Sequence, residues 1–179
     1  MDIQQVENFM KLVSRSEKET FPHKGKLKTG LDLGTAYIVL VVLDEDNRPV
    51  ACEKQAASVL RDGVVVDYTG ALDIVKKLKA KLEERIGEEL VNCAIAMPAG
   101  TESSVKTHQY VAEGAGFEVT AVLDEPSSAN AIYKIQDGVI VDIGGGTTGL
   151  AVIHQGKVVQ TEDEPTGGTH LSLVLAGNY

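Results

Sequence analysis

Gly30-Leu31-Asp32-Leu33-Gly34-Thr35-Ala36-Tyr37, followed by the apolar run Ile38 to Leu43, decides how this chain is read. The reason is that Ile140-Val141-Asp142-Ile143-Gly144-Gly145-Gly146-Thr147-Thr148, followed by Leu150 to Ile153, repeats its plan. In each copy apolar residues lead to one Asp, then to a Gly-Thr turn, then to a second apolar run. One such turn is equally an ordinary tight hairpin whose Asp fixes the turn by side-chain hydrogen bonds. Two of them, each with its carboxylate at the same place, describe a duplicated site that grips one ligand from both sides.

The chemistry of the pair points to a polyphosphate. Glycine turns expose backbone N–H donors without a Cβ in the way. Gly34, Thr35, Ala36 and Tyr37 supply them in the first copy, and Gly144, Gly145, Gly146 and Thr147 in the second. Thr35, Thr147 and Thr148 add hydroxyl donors, and Gly167-Gly168, which open a later helix, are further candidate contacts. Asp32 and Asp142 would be repelled by phosphates unless a cation stood between. Mg²⁺, which keeps several waters and takes carboxylates through them, is the natural choice. The two Asp are therefore assigned to the hydration shell of the metal and the turns to the phosphates.

Composition sets the frame. At 179 residues the chain holds one core, or one full lobe and part of another. With no Trp and three Phe, its core must be aliphatic. A net charge of -9 argues against a general nucleic-acid or anionic-membrane surface. Cys52 and Cys93 lie far apart in apolar stretches and read as buried reduced thiols, which fits a cytoplasmic protein. The N-terminus lacks the basic flank and apolar run of a signal peptide, and Ile38 to Leu43 is too short to span a bilayer. His23, His108, His154 and His170 have no metal-ligand spacing. Ser103 and Ser104 suit helix capping better than nucleophilic catalysis. No Gly-x-Ser-x-Gly elbow and no Gly-x-x-x-x-Gly-Lys-Ser/Thr loop occurs, so the sequence does not support a Walker-type ATPase.

Working outward along the chain, Ile3, Val6, Phe9, Met10 and Val13 recur at helical spacing and predict an amphipathic helix to about Ser16. The polar stretch Glu17 to Lys28 reads as a linker, so residues 1–20 form a helix and linker apart from the first lobe, 26–135. That lobe begins with a three-strand meander ending near Gln55. A helix from Thr69 or Gly70 follows, with Leu72, Val75, Leu78, Leu82 and Ile86 inward and Lys76, Lys77, Lys79 and Glu83 outward. Then come a strand to Met97, a helix capped by Thr101 and running to Ala115, a strand from Phe117, and a helix with Pro126 in its first turn. Alternating helices and strands predict a layered α/β sheet. At Val139 the meander restarts, and residues 136–179 read as an incomplete second lobe that would leave a sheet face or edge uncovered.

These motifs resemble those of the actin/Hsp70/sugar-kinase ATPase superfamily, in order and spacing, from Lys28 to about Leu175. Gly30 to Tyr37 resembles its first phosphate motif and Asp142 to Thr148 its second. Asp124-Glu125-Pro126-Ser127-Ser128-Ala129-Asn130-Ala131 resembles the Glu-Pro crossing helix of Hsp70-like members, and Ala96-Met97-Pro98-Ala99-Gly100 a Val-Pro-Ala stretch. Arg61-Asp62-Gly63-Val64-Val65-Val66-Asp67-Tyr68 resembles a segment of the bacterial actin-like branch. The likeness is greatest to the Hsp70-like branch of ethanolamine-utilisation and bacterial microcompartment operons.

The resemblance implies a ribonuclease H-like, actin-type lobe and ATP with Mg²⁺ as ligands. It implies catalytic roles for Asp32, Asp142 and Glu125, the last orienting the attacking water as an ionised carboxylate at a helix N-terminus. Protein clients among ethanolamine-breakdown enzymes or shell proteins follow from it too, and it allows a homo-oligomer. The N-terminal helix is then either a tag for a microcompartment shell or a helix packed on its own domain. No match is found for the adenosine-contacting motif, the second crossing helix or the basic residue that aids hydrolysis. An Hsp70-like chaperone ATPase leads. A non-catalytic actin-like assembly scaffold comes second, and a small-molecule kinase, which needs a lobe insert absent here, comes third.

Overall fold

The computed structural model describes residues 3–61, 63–98 and 104–177. Thr101, Ser103, Asp62 and the Ala99-Gly100 pair lie outside the described residues. The elements run α1 (Ile3–Ser16), β1 (Lys28–Leu33), β2 (Tyr37–Leu43), β3 (Pro49–Ala56), β4 (Leu60–Arg61), β5 (Val64–Val65) and α2 (Tyr68–Ile86). They continue as β6 (Asn92–Met97), α3 (Val105–Gly114), β7 (Glu118–Asp124), α4 (Glu125–Tyr133), β8 (Gly138–Ile143), β9 (Thr148–His154), β10 (Lys157–Glu164) and α5 (Gly168–Leu175).

Five strands form a mixed sheet in the order β3-β2-β1-β6-β7. The meander strands pair antiparallel, and β1-β6 and β6-β7 pair parallel across the helical connections. Leu31, Leu33, Ile38, Leu40 and Val42 of the sheet meet Ala71, Val75, Leu78 and Leu82 of α2 and Val111 and Ala112 of α3 in one aliphatic core. Helix α2 has the ends its sequence announces. Asp67 caps it by accepting from the Gly70 N–H at 2.9 Å, and Gly87, at φ 81, closes it. Lys79 is a correction to the expected outward face. It is buried, its ammonium 2.6 Å from Glu83 and over the Phe117 ring, because its long stem covers apolar surface beside the core. Cys52 and Cys93 are free and buried, and burial pushes their thiols up to about 11 and about 12.

The second meander forms its own antiparallel sheet, β10-β9-β8. Ile140, Ala151 and Ile153 turn one face of it toward Ala129 of α4 and Ile135. On the other face Val139, Val141, Ile143, Leu150 and Val152 are exposed, the uncovered aliphatic surface that the sequence led one to expect. Helix α4 joins the two sheets, touching β6 and β7 of one and β8 and β9 of the other.

The stretch read as a linker is an ordered strap. Helix α1 lies along β3, with Val6 and Ser16 buried. Beyond it the Phe21 N–H donates to Val50, and Arg15 sits over the Phe21 ring. Arg85, at the far end of α2, donates to the carbonyls of Ser16, Glu19 and Cys52 and pairs with Glu53 at 2.8 Å. Of the two alternatives for α1, the geometry is that of a helix packed on its own domain. Among the described residues, no helix is long and apolar enough to cross a membrane.

Candidate functional site

The two Gly-Thr turns are built alike. Leu33 pairs with Ile38 and Ile143 with Thr148 at the strand ends, and the loop between is closed by the first glycine. The Gly34 N–H donates to the Tyr37 carbonyl at 3.0 Å, and the Gly144 N–H to the Thr147 carbonyl at 2.9 Å. Each Asp lies two residues before its glycine, so the pleat sends both carboxylates to the same side of their sheets.

The fold then brings the two turns face to face. A Cβ on Gly145 would stand 2.8 Å from that of Ala36, and one on Gly146 would stand 2.7 Å from the Thr35 hydroxyl. Glycine is required there because the loops touch. Asp32, Gly34, Thr35, Ala36, Tyr37, Glu125, Asp142, Gly144, Gly145, Gly146 and Thr147 line one cavity of about 290 Å³. Leu33, Val39, Lys54, Gly63 and Pro98 complete its described walls. A groove of about 490 Å³ shares Thr35, Ala36, Gly145 and Gly146 and adds Arg61, Thr169 and His170.

Three predicted contacts stand outside the cavity wall. The Thr148 hydroxyl donates to the Thr166 carbonyl at 2.7 Å. Gly167 and Gly168 press against the second turn instead. The Gly168 and Thr169 N–H groups donate to the Gly144 and Gly145 carbonyls at 2.8 and 3.0 Å. These bonds lock α5 onto the turn. An Ala at Gly167 would place its Cβ 2.6 Å from the Gly144 carbonyl oxygen and 2.8 Å from Gly145 backbone atoms. Gly167→Ala is therefore expected to cost about 1–3 kcal/mol of stability and to free α5. Chemical denaturation together with hydrogen exchange over 168–175 checks this.

Electrostatically the cavity is crowded with acid. Burial, then the charge of Asp142, pushes Asp32 up to about 6. Burial, followed by Asp32, Asp142, Asp163 and Asp124, pushes Glu125 up to about 8. Burial also raises Asp142 and Asp163. Glu125 thus departs from the ionised carboxylate expected of it. Asp124 caps α4 by accepting from the Ser127 N–H at 2.7 Å, and the helix N-terminus favours an anion. Burial and four neighbouring carboxylates outweigh that, so near pH 7 Glu125 keeps its proton until positive charge enters.

A hydrated Mg²⁺ fits this arrangement. Among the described residues, neither Asp32 Oδ1 nor Asp163 Oδ1, both buried, has a hydrogen-bond partner. Yet among the described residues no three His, Cys, Asp or Glu side chains converge tightly enough to hold a metal directly. Carboxylates acting through water satisfy both facts.

Two residues at the site escaped the sequence reading. Asp163 on β10 lies near Thr147, and it and Pro126 of the crossing helix both lie against Gly149. Lys54 on β3 lines the cavity itself. The signal for both was the repeat. Asp32 pairs with Val39 and Val39 with Lys54, just as Asp142 pairs with Gly149 and Gly149 with Asp163. Superposing the meanders on their Asp would have carried the eye to the third strand.

Comparison with known proteins agrees with this architecture. The MreB/Mbl protein family matches residues 51–175. The ethanolamine utilization protein EutJ of Escherichia coli (strain K12) is 44% identical over 149 residues, 83% of this chain and 53% of that protein. The crystal structure of EutJ from Carboxydothermus hydrogenoformans superposes with a TM-score of 0.91 at 49% identity, covering 97% of this chain and 65% of that one. MreB5 of Spiroplasma citri, bound to ADP, superposes with a TM-score of 0.64 at 25% identity, covering 81% and 54%. The chain thus spans about half the length of the curated relative it matches. The fold is that of the actin-like ATPases, as the resemblance implied.

Proposed function

The chain belongs to the MreB/Mbl protein family of actin-like fold, and from that premise we propose that it binds Mg-ATP between its two glycine turns. We further propose that it serves ethanolamine utilisation as an Hsp70-like, chaperone-type ATPase. The observation that carries the reading is the shared cavity: Asp32 from one repeat and Asp142 from the other, with Glu125 between the sheets on α4. The EutJ relatives supply the pathway, and the MreB5 structure, bound to ADP, supports the nucleotide.

In this reading the turn N–H groups other than those of Gly34 and Gly144, which close the turns, bind phosphate oxygens. Asp32 and Asp142 would hold a hydrated Mg²⁺ through its waters, and the ion would supply positive charge against the phosphates and the surrounding acids. Glu125, once ionised, holds the attacking water and takes its proton. Protein clients among ethanolamine-breakdown enzymes or shell proteins, in the cytoplasm and at a microcompartment, complete the proposal. A non-catalytic actin-like scaffold is the second reading, favoured by the family match and by the Arg61 to Tyr68 segment, which the β4-β5 ribbon overlaps.

Equilibrium binding of Mg-ATP and steady-state phosphate release separate the two. The chain should bind Mg-ATP, and Asp142→Ala should weaken it about tenfold or more, the usual cost of losing an outer-shell metal partner. Release that disappears in Asp142→Ala supports the ATPase. Binding without release supports the scaffold, and absence of Mg-dependent binding overturns both.

A further inference from the structure

We propose that Lys54 is a phosphate-binding residue of the cavity and that Glu17, in the strap after α1, holds it in reserve, so that the strap and a polyphosphate compete for one ammonium group. The inference rests on the polyphosphate reading above and names a contact and a control of that same site. Among the described residues lining the cavity, Lys54 is the one cation, set against the carboxyl groups of Asp32, Glu125 and Asp142.

Its position is a consequence of the repeat. Lys54 and Asp163 occupy matching places on the third strands, each across one strand from its Asp. The duplicated frame therefore offers an ammonium on one side and a carboxylate on the other.

The contact with the strap is direct. Lys54 Nζ lies 2.9 Å from Glu17 Oε1, and the two side chains remain 46% and 32% exposed. An ion pair this wet is a weak one and is readily exchanged. A phosphate oxygen bearing full negative charge makes the stronger, charge-assisted hydrogen bond. The exchange leaves the strap in place, because Arg85 holds its main chain at Ser16 and Glu19 independently of the Glu17 side chain. Filling the cavity would then release Glu17 alone and change the charge the strap presents beside α1.

Binding, rather than turnover, tests this. Lys54→Met, Glu17→Gln and the double variant are titrated with a non-hydrolysable Mg-adenosine triphosphate analogue and, separately, with Mg-tripolyphosphate. Lys54→Met should weaken both ligands about tenfold or more, the loss of a charge-assisted hydrogen bond. Glu17→Gln should tighten both roughly two- to fivefold. In the double variant the effect of Glu17→Gln should vanish, since there is no ammonium left to compete for. Unaltered affinity in Lys54→Met, or a Glu17→Gln effect that survives it, overturns the inference while the nucleotide reading stands. Weakening of the nucleotide but not of tripolyphosphate places Lys54 on the nucleoside and likewise overturns it. If the parent chain binds neither ligand, the polyphosphate reading falls and this inference falls with it.

Discussion

Glu125→Gln should flatten the pH dependence of stability, and above pH 8 the variant should outlast the parent. In the folded chain Asp32 titrates at about 6 and Glu125 at about 8, against ordinary values of 3.8 and 4.5. Between the ordinary and the raised value the folded state holds a proton that the unfolded chain has released. The stabilisation is complete below the ordinary value and disappears as pH climbs through the raised one. The parent should therefore lose stability between about pH 4 and pH 8.5. At 1.36 kcal/mol per unit, the Glu125 share is on the order of 3–5 kcal/mol, roughly 10 °C in Tm for a chain of this size.

Other groups act in other windows. Hydrogen bonds to the Arg48 and Asp46 N–H groups hold Asp44 low, so its contribution is lost only as pH falls below the ordinary carboxylate range. Burial holds His108 low, so its contribution is lost as pH falls through the ordinary histidine range, opposite in sense to Glu125. The difference between parent and Glu125→Gln removes both, and thermal unfolding from pH 5 to 8.5 measures it. Equal slopes in the two proteins would mean that Glu125 is not an acid held neutral by its neighbours. In the proposed site, Mg-nucleotide should also erase the difference, because entry of positive charge discharges the proton from Glu125 and binding then tightens as pH rises.

The legible part of this molecule was local. The Asp-Leu-Gly-Thr and Asp-Ile-Gly-Gly-Gly-Thr stretches carry their turns in their own residues, and the stripe Leu72, Val75, Leu78, Leu82, Ile86 carries its helix. What stayed hidden depends on register and on distant partners. Lys54 sits near the end of the third meander strand, and no local pattern says that its side chain reaches a cavity shared with α4. Lys79 looks like any member of a solvated lysine cluster until Phe117, from the β7 approach, is placed beneath it. The raised titration of Glu125 is hidden for the same reason. The helix N-terminus is visible in the sequence, whereas the approach of Asp32, Asp142 and Asp163 is a property of the folded chain.

The strap shows most clearly how one remote residue decides the standing of a whole segment, and Arg85→Ala is expected to undo it. The guanidinium offers five donors in a fixed plane. The Ser16, Glu19 and Cys52 carbonyls and the Glu53 carboxylate take them up at 2.8 to 3.0 Å. Removing the side chain leaves those carbonyls unmatched, and Glu53, 18% exposed, keeps Lys81 at 3.7 Å as its one ion-pair partner among the described residues. Breaking a largely buried, hydrogen-bonded pair of this kind costs about 3 kcal/mol or more. Lysine at 85 should not rescue it, because one ammonium cannot span acceptors that a planar fork reaches together.

The decisive readout is where protection is lost. Hydrogen exchange over 3–16 should accelerate in Arg85→Ala beyond the global loss of stability. Val6, the Phe21 to Val50 hydrogen bond and the Lys54–Glu17 pair are too few to hold α1 down. If α1 were a tethered tag, the same substitution would leave exchange over 3–16 as fast as before, with no change to record. A helix that is protected in the parent and released by a change on α2 is part of the domain, and its strap then lies where Glu17 can answer to the contents of the cavity.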